Sequence, residues 1–173
     1  MQLAALYHHF ATKQALLADL MISHMRDLLA AWQKICPDHL LGQTAAASHR
    51  LDAFAHYHIR YHISCPQEVL IAYMELRSLS PAHYNAVSKL RRNYENLLKD
   101  ILQDGVDDGR FQIDDIHVTA MAILAKLTGI TTWYRPGGRR SAPAVEMQYA
   151  LMVRRMAVDK IGETLPVQRQ AKH

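Results

Sequence analysis

Cysteine is scarce in this chain: Cys36 and Cys65 are the only two among 173 residues. That excludes a disulfide-stapled scaffold and fits a reduced compartment. Glycine and proline are also few, seven and six, so little interrupts long helices. No alternation at the spacing of a strand stands out, and no internal repeat. The most apolar stretch, 118–134, is broken by Lys126 and is too short for a comfortable membrane span. Residues 1–10 have neither a charged start nor a long apolar core, so no signal peptide is expected. No Gly-rich phosphate loop, nucleophile–base arrangement or paired-carboxylate signature is present. Asp107-Asp108 and Asp114-Asp115 fall at helix ends, where they serve as caps. We therefore expect a soluble cytoplasmic protein that is not an enzyme, carries no cofactor and does not enter a membrane.

What is present is apolar content at helical spacing. Half of the residues are hydrophobic, enough for a sizeable core in one domain. The net charge of +4 and pI near 9.1 are compatible with nucleic acid or an anionic ligand. A helix is expected over 13–36, capped by Thr12, carrying Leu16, Leu17, Leu20, Met21, Leu28, Trp32 and Ile35 on one side and ended by Pro37. Others are expected over 45–64 and 67–79. The next starts at Ser80-Pro81, an N-cap followed by proline at the first helical position, and ends near Gly105 with Gly109 closing the turn. A nearly all-round apolar helix follows over 116–133, capped by Asp114 or Asp115. A loop, Tyr134 to Arg140, leads to Ser141 and a last helix over 141–160. The tail 162–173 reads as disordered. The fold class is all-α, with about seven helices. A helix apolar on every face must be buried on more than one, and another subunit is the natural second partner of 116–133.

Two motifs give this bundle a relationship. Leu6, Tyr7, His9, Phe10, Lys13, Leu16 and Leu17 resemble the second half of the DNA-binding head of TetR-family repressors, where a recognition helix ends in Leu-Tyr-x-His-Phe. The runs His58 to His62, Glu75 to Pro81, Arg92 to Glu95, Gly105 to Phe111 and Trp133 to Arg139 resemble the ligand-binding part of a TetR subgroup. The likeness covers roughly 6–156. It implies a remnant of the helix-turn-helix over 1–12, a ligand-binding and dimerisation domain over 13–161, and the tail. The first helices of the head are expected to be missing, so the chain as written should bind operator DNA poorly. In the head, Tyr7, His8, His9 and Lys13 are the candidate DNA contacts, positioning a duplex through its phosphates. The family fold further implies a homodimer in which 116–133 and 141–160 form a four-helix interface.

That subgroup includes repressors relieved by acyl-CoA thioesters, so the resemblance implies a small amphipathic effector, an acyl-CoA among the candidates. Arginine binds phosphates through two parallel hydrogen bonds, and an aromatic face stacks on adenine. Trp133, Arg135 and Arg139, beside Tyr134, fit that description. Tyr57, Tyr61, Tyr73, Met74 and Tyr94 fit an amphipathic wall, with Arg60 and Arg77 as further cations. Arg91, Arg92 and Arg140 are cations of interest without an assigned place. A rival is a dimeric small-molecule-binding module without DNA-binding activity. Another is an all-α metalloenzyme. His49, His56, His58 and His62 share one helix, and His58 and His62 are one turn apart on one face. No acidic residue lies between that pair and no third ligand is evident, so no metal is expected.

Overall fold

The computed structural model describes Phe10, residues 12–35 and residues 46–158. Among them the chain is all helical: α1 (Lys13–Ile35), α2 (Ala47–Ser64), α3 (Pro66–Met74), a 3-10 turn (Leu76–Ser78), α4 (Pro81–Asp107), α5 (Ile116–Thr128), α6 (Ile130–Trp133) and α7 (Ala142–Val158). Tyr7, His8, His9 and the tail 162–173 lie outside the described residues.

Local chemistry sets the helix starts. Thr12 Oγ1 accepts from the Ala15 amide at 3.1 Å, Ser80 Oγ from His83 at 3.4 Å, and Asp115 Oδ1 from Val118 at 2.9 Å. Each satisfies one of the amides a helix start leaves unpaired. Asp115, not Asp114, is the cap of α5. Two expected helices are shorter than the periodicity predicts. The stretch 67–79 is α3 followed by a 3-10 turn. The stretch 116–133 divides at Gly129 into α5 and α6. There Thr131 Oγ1 donates to the Thr128 carbonyl at 3.0 Å and Thr132 Oγ1 to the Gly129 carbonyl at 2.8 Å. Hydroxyls that bond back onto the helix compete with its ladder, and glycine adds the lowest helix propensity after proline.

α2 is the centre of the bundle and touches each of the other six described helices. Its Leu51, Phe54, Ala55, His58, Ile59 and His62 are fully buried. Trp32 of α1 meets Phe54 edge-on at 5.3 Å, and Phe54 lies 5.2 Å from the Tyr94 ring of α4. Polar ties run outward from the same helix. Arg50 pairs with Asp104 of α4 at 2.7 Å, Asp52 with Arg154 of α7, and Arg60 with Glu146 of α7 at 2.8 Å. Large apolar side chains left in the open occur along the whole chain; those of the last helices are Val118 of α5, Trp133, and Met147, Leu151 and Val158 of α7.

At the end of α4 the chain turns back. Gly109 has φ +67°, a backbone that glycine adopts at no steric cost. The Gly105 carbonyl accepts from the Arg110 and Phe111 amides, and the Phe111 ring lies against the Gly105 Cα, where a Cβ would overlap it. Gly105→Ala would gain up to about 1 kcal/mol of helix propensity, but overpacking a core costs about 1–3 kcal/mol. We expect net destabilisation, read as a lower urea midpoint, and partial recovery in Gly105→Ala/Phe111→Leu. A midpoint above that of the parent would contradict this packing.

Candidate functional site

Two hollows open beside the short helix α6. The first has a volume of about 470 Å³ and lies among α1, α3, α4, α5 and α6. Its wall is mostly apolar, with Met25, Val69, Leu70, Met121 and Leu124; its polar side is Tyr73, Arg91, Tyr94, Glu95 and Thr128. That size and make-up suit a small amphipathic molecule. The second, about 700 Å³, is lined by Trp133, Tyr134, Arg135, Arg139, Arg140 and Tyr149 among others. Trp133 stacks near-parallel on Tyr149 at 6.3 Å and donates from Nε1 to its hydroxyl at 3.1 Å. The consecutive residues Thr132 and Trp133 border the two hollows in turn.

A buried polar chain connects the first hollow to α2. Tyr94 Oη is 3.0 Å from His58 Nδ1, His58 Nε2 is 3.2 Å from Thr128 Oγ1, and Thr128 Oγ1 is 3.3 Å from Tyr73 Oη. Arg91 sits over the Tyr73 ring, its guanidinium carbon 4.6 Å from the ring centre, in cation–π geometry. Behind His58 lies His62, stacked on it at 3.7 Å and 12°. His62 Nδ1 donates to the His58 carbonyl at 2.9 Å, because a carbonyl only accepts. His24 of α1 meets His62 edge-on. Among the described residues neither His24 Nε2 nor His62 Nε2 has a partner. Burial, reinforced by His62 and His24, drives the His58 imidazole well below its ordinary value, and burial and His24 take His62 to about 3. Burial lowers His24 too, against opposing pull from Glu68 and Asp27. Burial raises the Tyr94 phenol well above its usual range. All three imidazoles are neutral near pH 7.

The structure divides the candidate ligand residues into three groups. Tyr73 and Tyr94 line the first hollow; Trp133, Arg135 and Arg139 line the second. Tyr57, Tyr61, Arg60 and Arg77 line neither. Tyr57 is buried, donates to the Leu28 carbonyl, and is held in protonated form by burial. Tyr61 packs between Tyr57 and His24, and burial raises its phenol likewise. Arg60 is held by the buried Glu146 carboxylate, whose bond and charge raise the guanidinium further. Arg77 is exposed on the 3-10 turn, and Met74 is the last residue of α3. Lys13 is exposed at the start of α1. The residues that the sequence does not single out for the site are Thr128, Tyr149 and His24, and Arg91, a cation of interest without an assigned place, lines the first hollow. Arg91 is three residues before Tyr94, hence on the same face of α4, and that spacing was the available signal. His58 has each ring nitrogen on a hydroxyl. Among the described residues no set of three His, Cys, Asp or Glu side chains is arranged to hold a metal, and no helix is long and apolar enough to cross a membrane.

Known proteins resemble the chain over most of its length. The family described as "Tetracyclin repressor-like, C-terminal domain" matches residues 44–157. The HTH-type transcriptional repressor KstR2 of Mycolicibacterium smegmatis is 28% identical over 157 residues, covering 86% of this chain and 71% of the repressor. A regulatory protein of the tetR family from Rhodococcus RHA1 superposes with a TM-score of 0.80 at 25% identity, covering 90% of this chain and 80% of that one. AibR, solved with isovaleryl coenzyme A and operator DNA, superposes with a TM-score of 0.70 at 22% identity, covering 91% and 81%; at that identity the likeness is one of fold.

The histidine cluster makes stability depend on acidity. His24, His58 and His62 have folded values below the ordinary 6.5, so below that pH the unfolded chain binds more protons than the folded one. Stability is full above about pH 6.5 and falls as the pH drops toward the folded values. Each histidine kept neutral contributes a slope of about 1.4 kcal/mol per pH unit. Urea midpoints are expected to fall between pH 7 and 5, and His62→Gln to flatten that fall by about one proton's worth. An equal slope in the variant would remove His62 from the account.

Proposed function

Given that this chain belongs to the TetR family of transcriptional repressors, we propose that its hold on operator DNA is set by a small amphipathic effector in the hollow beneath Arg91. The observation that carries this is the hollow itself: an apolar wall from three helices, closed on one side by Tyr73, Tyr94, Thr128 and a cation. α1 is the lever. Its Met25 lines the hollow, and Lys13 begins the same helix about 18 Å away at 1.5 Å per residue. A ligand that wedges Met25 aside tilts α1 and moves the segment before it, where Tyr7, His8, His9 and Lys13 are proposed to meet phosphates. Two such heads, spaced by a dimer, would then fall out of register with their half-sites.

The effector class we favour is an acyl-CoA. The fold neighbour AibR is described with isovaleryl coenzyme A, and the two hollows on either side of α6 divide as such a ligand does. The acyl part would enter the apolar hollow, and the phosphates and adenine would meet Arg135, Arg139 and Trp133. The dimer is proposed through the exposed apolar side chains of α5 and α7. Leu127 is fully buried within its own subunit, so Met147 and Leu151 are the positions that report on the interface.

Calorimetry with CoA thioesters, free CoA and the free acids tests the ligand. A thioester is expected to bind more tightly than free CoA, and Arg135→Ala to weaken it by about 1.5–3 kcal/mol, ten- to a hundredfold. If free CoA binds as tightly as any thioester, the acyl-CoA reading fails. Light scattering tests the assembly: the parent is expected to be dimeric at micromolar concentration, and Met147→Glu/Leu151→Glu monomeric, because charges buried at an apolar interface are strongly unfavourable. A monomeric parent would end the dimer proposal.

A further inference from the structure

The polar chain between α2 and the first hollow points one way, and its direction selects the ligand's head. Tyr94 is buried, and among the described residues its hydroxyl has one partner, His58 Nδ1. A buried O–H left without an acceptor is costly, and a phenol donates better than it accepts, so the Tyr94 proton lies on the line to Nδ1. A neutral imidazole carries a single proton. His58 therefore carries it on Nε2 and donates to Thr128 Oγ1. The Thr128 hydroxyl, accepting from His58, donates onward to Tyr73 Oη. Tyr73 thus accepts a hydrogen bond from inside and has its own proton to give, and it stands in the wall of the hollow.

Beside it Arg91 offers only donors. Among the described residues Arg91 forms no ion pair; Glu95, one turn further along α4, borders the same hollow without pairing to it. The fully reversed chain, with Thr128 donating to His58 Nε2, would leave the Tyr94 proton buried without an acceptor. Two donors and a positive charge therefore converge on one corner of a mostly apolar space, whose other polar border is Glu95, Thr131 and Thr132.

We propose that the hollow grips an acyl chain by an oxygen-acceptor head, a carboxylate or a thioester carbonyl, through the Tyr73 hydroxyl and the Arg91 guanidinium. Thr128 and His58 are positioning residues that keep the Tyr73 proton aimed outward. This rests on the hollow being the effector site. A head that can only donate, such as an ammonium, meets the Tyr73 proton and the Arg91 charge at that corner and is disfavoured there, with Glu95 the one carboxylate in the lining.

The test is calorimetry with decanoate, the N-acetylcysteamine thioester of decanoate, and decylammonium. The parent is expected to bind one or both acceptors at least about tenfold more tightly than the ammonium. A preference for decanoate that Arg91→Gln removes identifies the carboxylate; a preference for the thioester that survives Arg91→Gln identifies the carbonyl. Tyr73→Phe should weaken the preferred acceptor by about tenfold and leave decylammonium unchanged. Thr128→Val should lower the acceptor-to-ammonium ratio and Thr128→Ser restore it, a pattern that loss of stability alone would not produce. Ammonium binding equal to the acceptors, or a ratio unmoved by Tyr73→Phe, overturns the inference. Ala125→Trp, which fills the hollow from an exposed position on α5, separates that failure from a failure of the site. If it abolishes binding of all three, the hollow stands and only the direction falls. If acceptors bind equally well to Ala125→Trp, or no compound binds the folded parent, the site reading falls and takes this inference with it.

Discussion

The body of this protein depends on one buried imidazole. His58 has no exposed surface, and its two nitrogens are engaged by hydroxyls from α4 and α5. A buried nitrogen without a partner costs about 1–3 kcal/mol, so those helices cannot slide along α2 without a penalty at both ends of the ring. Apolar packing alone tolerates such sliding, since burial is proportional to area and indifferent to direction. The hydroxyl–imidazole–hydroxyl line thus supplies what the surrounding Phe54, Leu98, Ile123 and Leu127 cannot: a specific register. The same line reaches Tyr73, so the register of the core and the chemistry of the hollow are one arrangement.

Much of the helical order was legible because it is local. Thr12, Ser80-Pro81 and Asp115 act within three residues of themselves, and the apolar spacing that follows each start needs no knowledge of the partner. The site was legible only in pieces. His58 pairs with residues 36 and 70 positions away, and Thr128 with one 55 positions away; no spacing rule reaches that far. Tyr57 and Tyr61 read as pocket wall from their type, yet Tyr57 turns inward to a backbone carbonyl and Tyr61 lies against His24. Arg60 read as a free cation because the carboxylate that holds it, Glu146, is on the other side of the sequence and itself buried. Charged residues are poor witnesses in a sequence for this reason: whether one is available depends on its neighbour in space.

The break at Gly129 matters more than its size. Had 116–133 remained one straight helix, Thr131, Thr132 and Trp133 would continue the face set by α5. The hydroxyls of Thr131 and Thr132, bonded back to carbonyls, turn that end into a short separate helix whose two flanks border two different hollows.

The position of α2 has one more consequence, for how the molecule can move. A helix that touches each of the other six leaves the body without a seam, so there is no plane along which two halves could part as rigid blocks while each kept its own core. Deformation is pushed to the margin, to elements with few ties to the centre. α1 has most of its neighbours in α3 and α4, and its ties to α2, from His24, Leu28 and Trp32, lie in its second half, so the half that begins at Lys13 is the looser one; the 3-10 turn has no buried side chain. In such a body the proposed effector would act like a shim under a floorboard: the frame would stay as it was, and only the outer end of one plank would tilt.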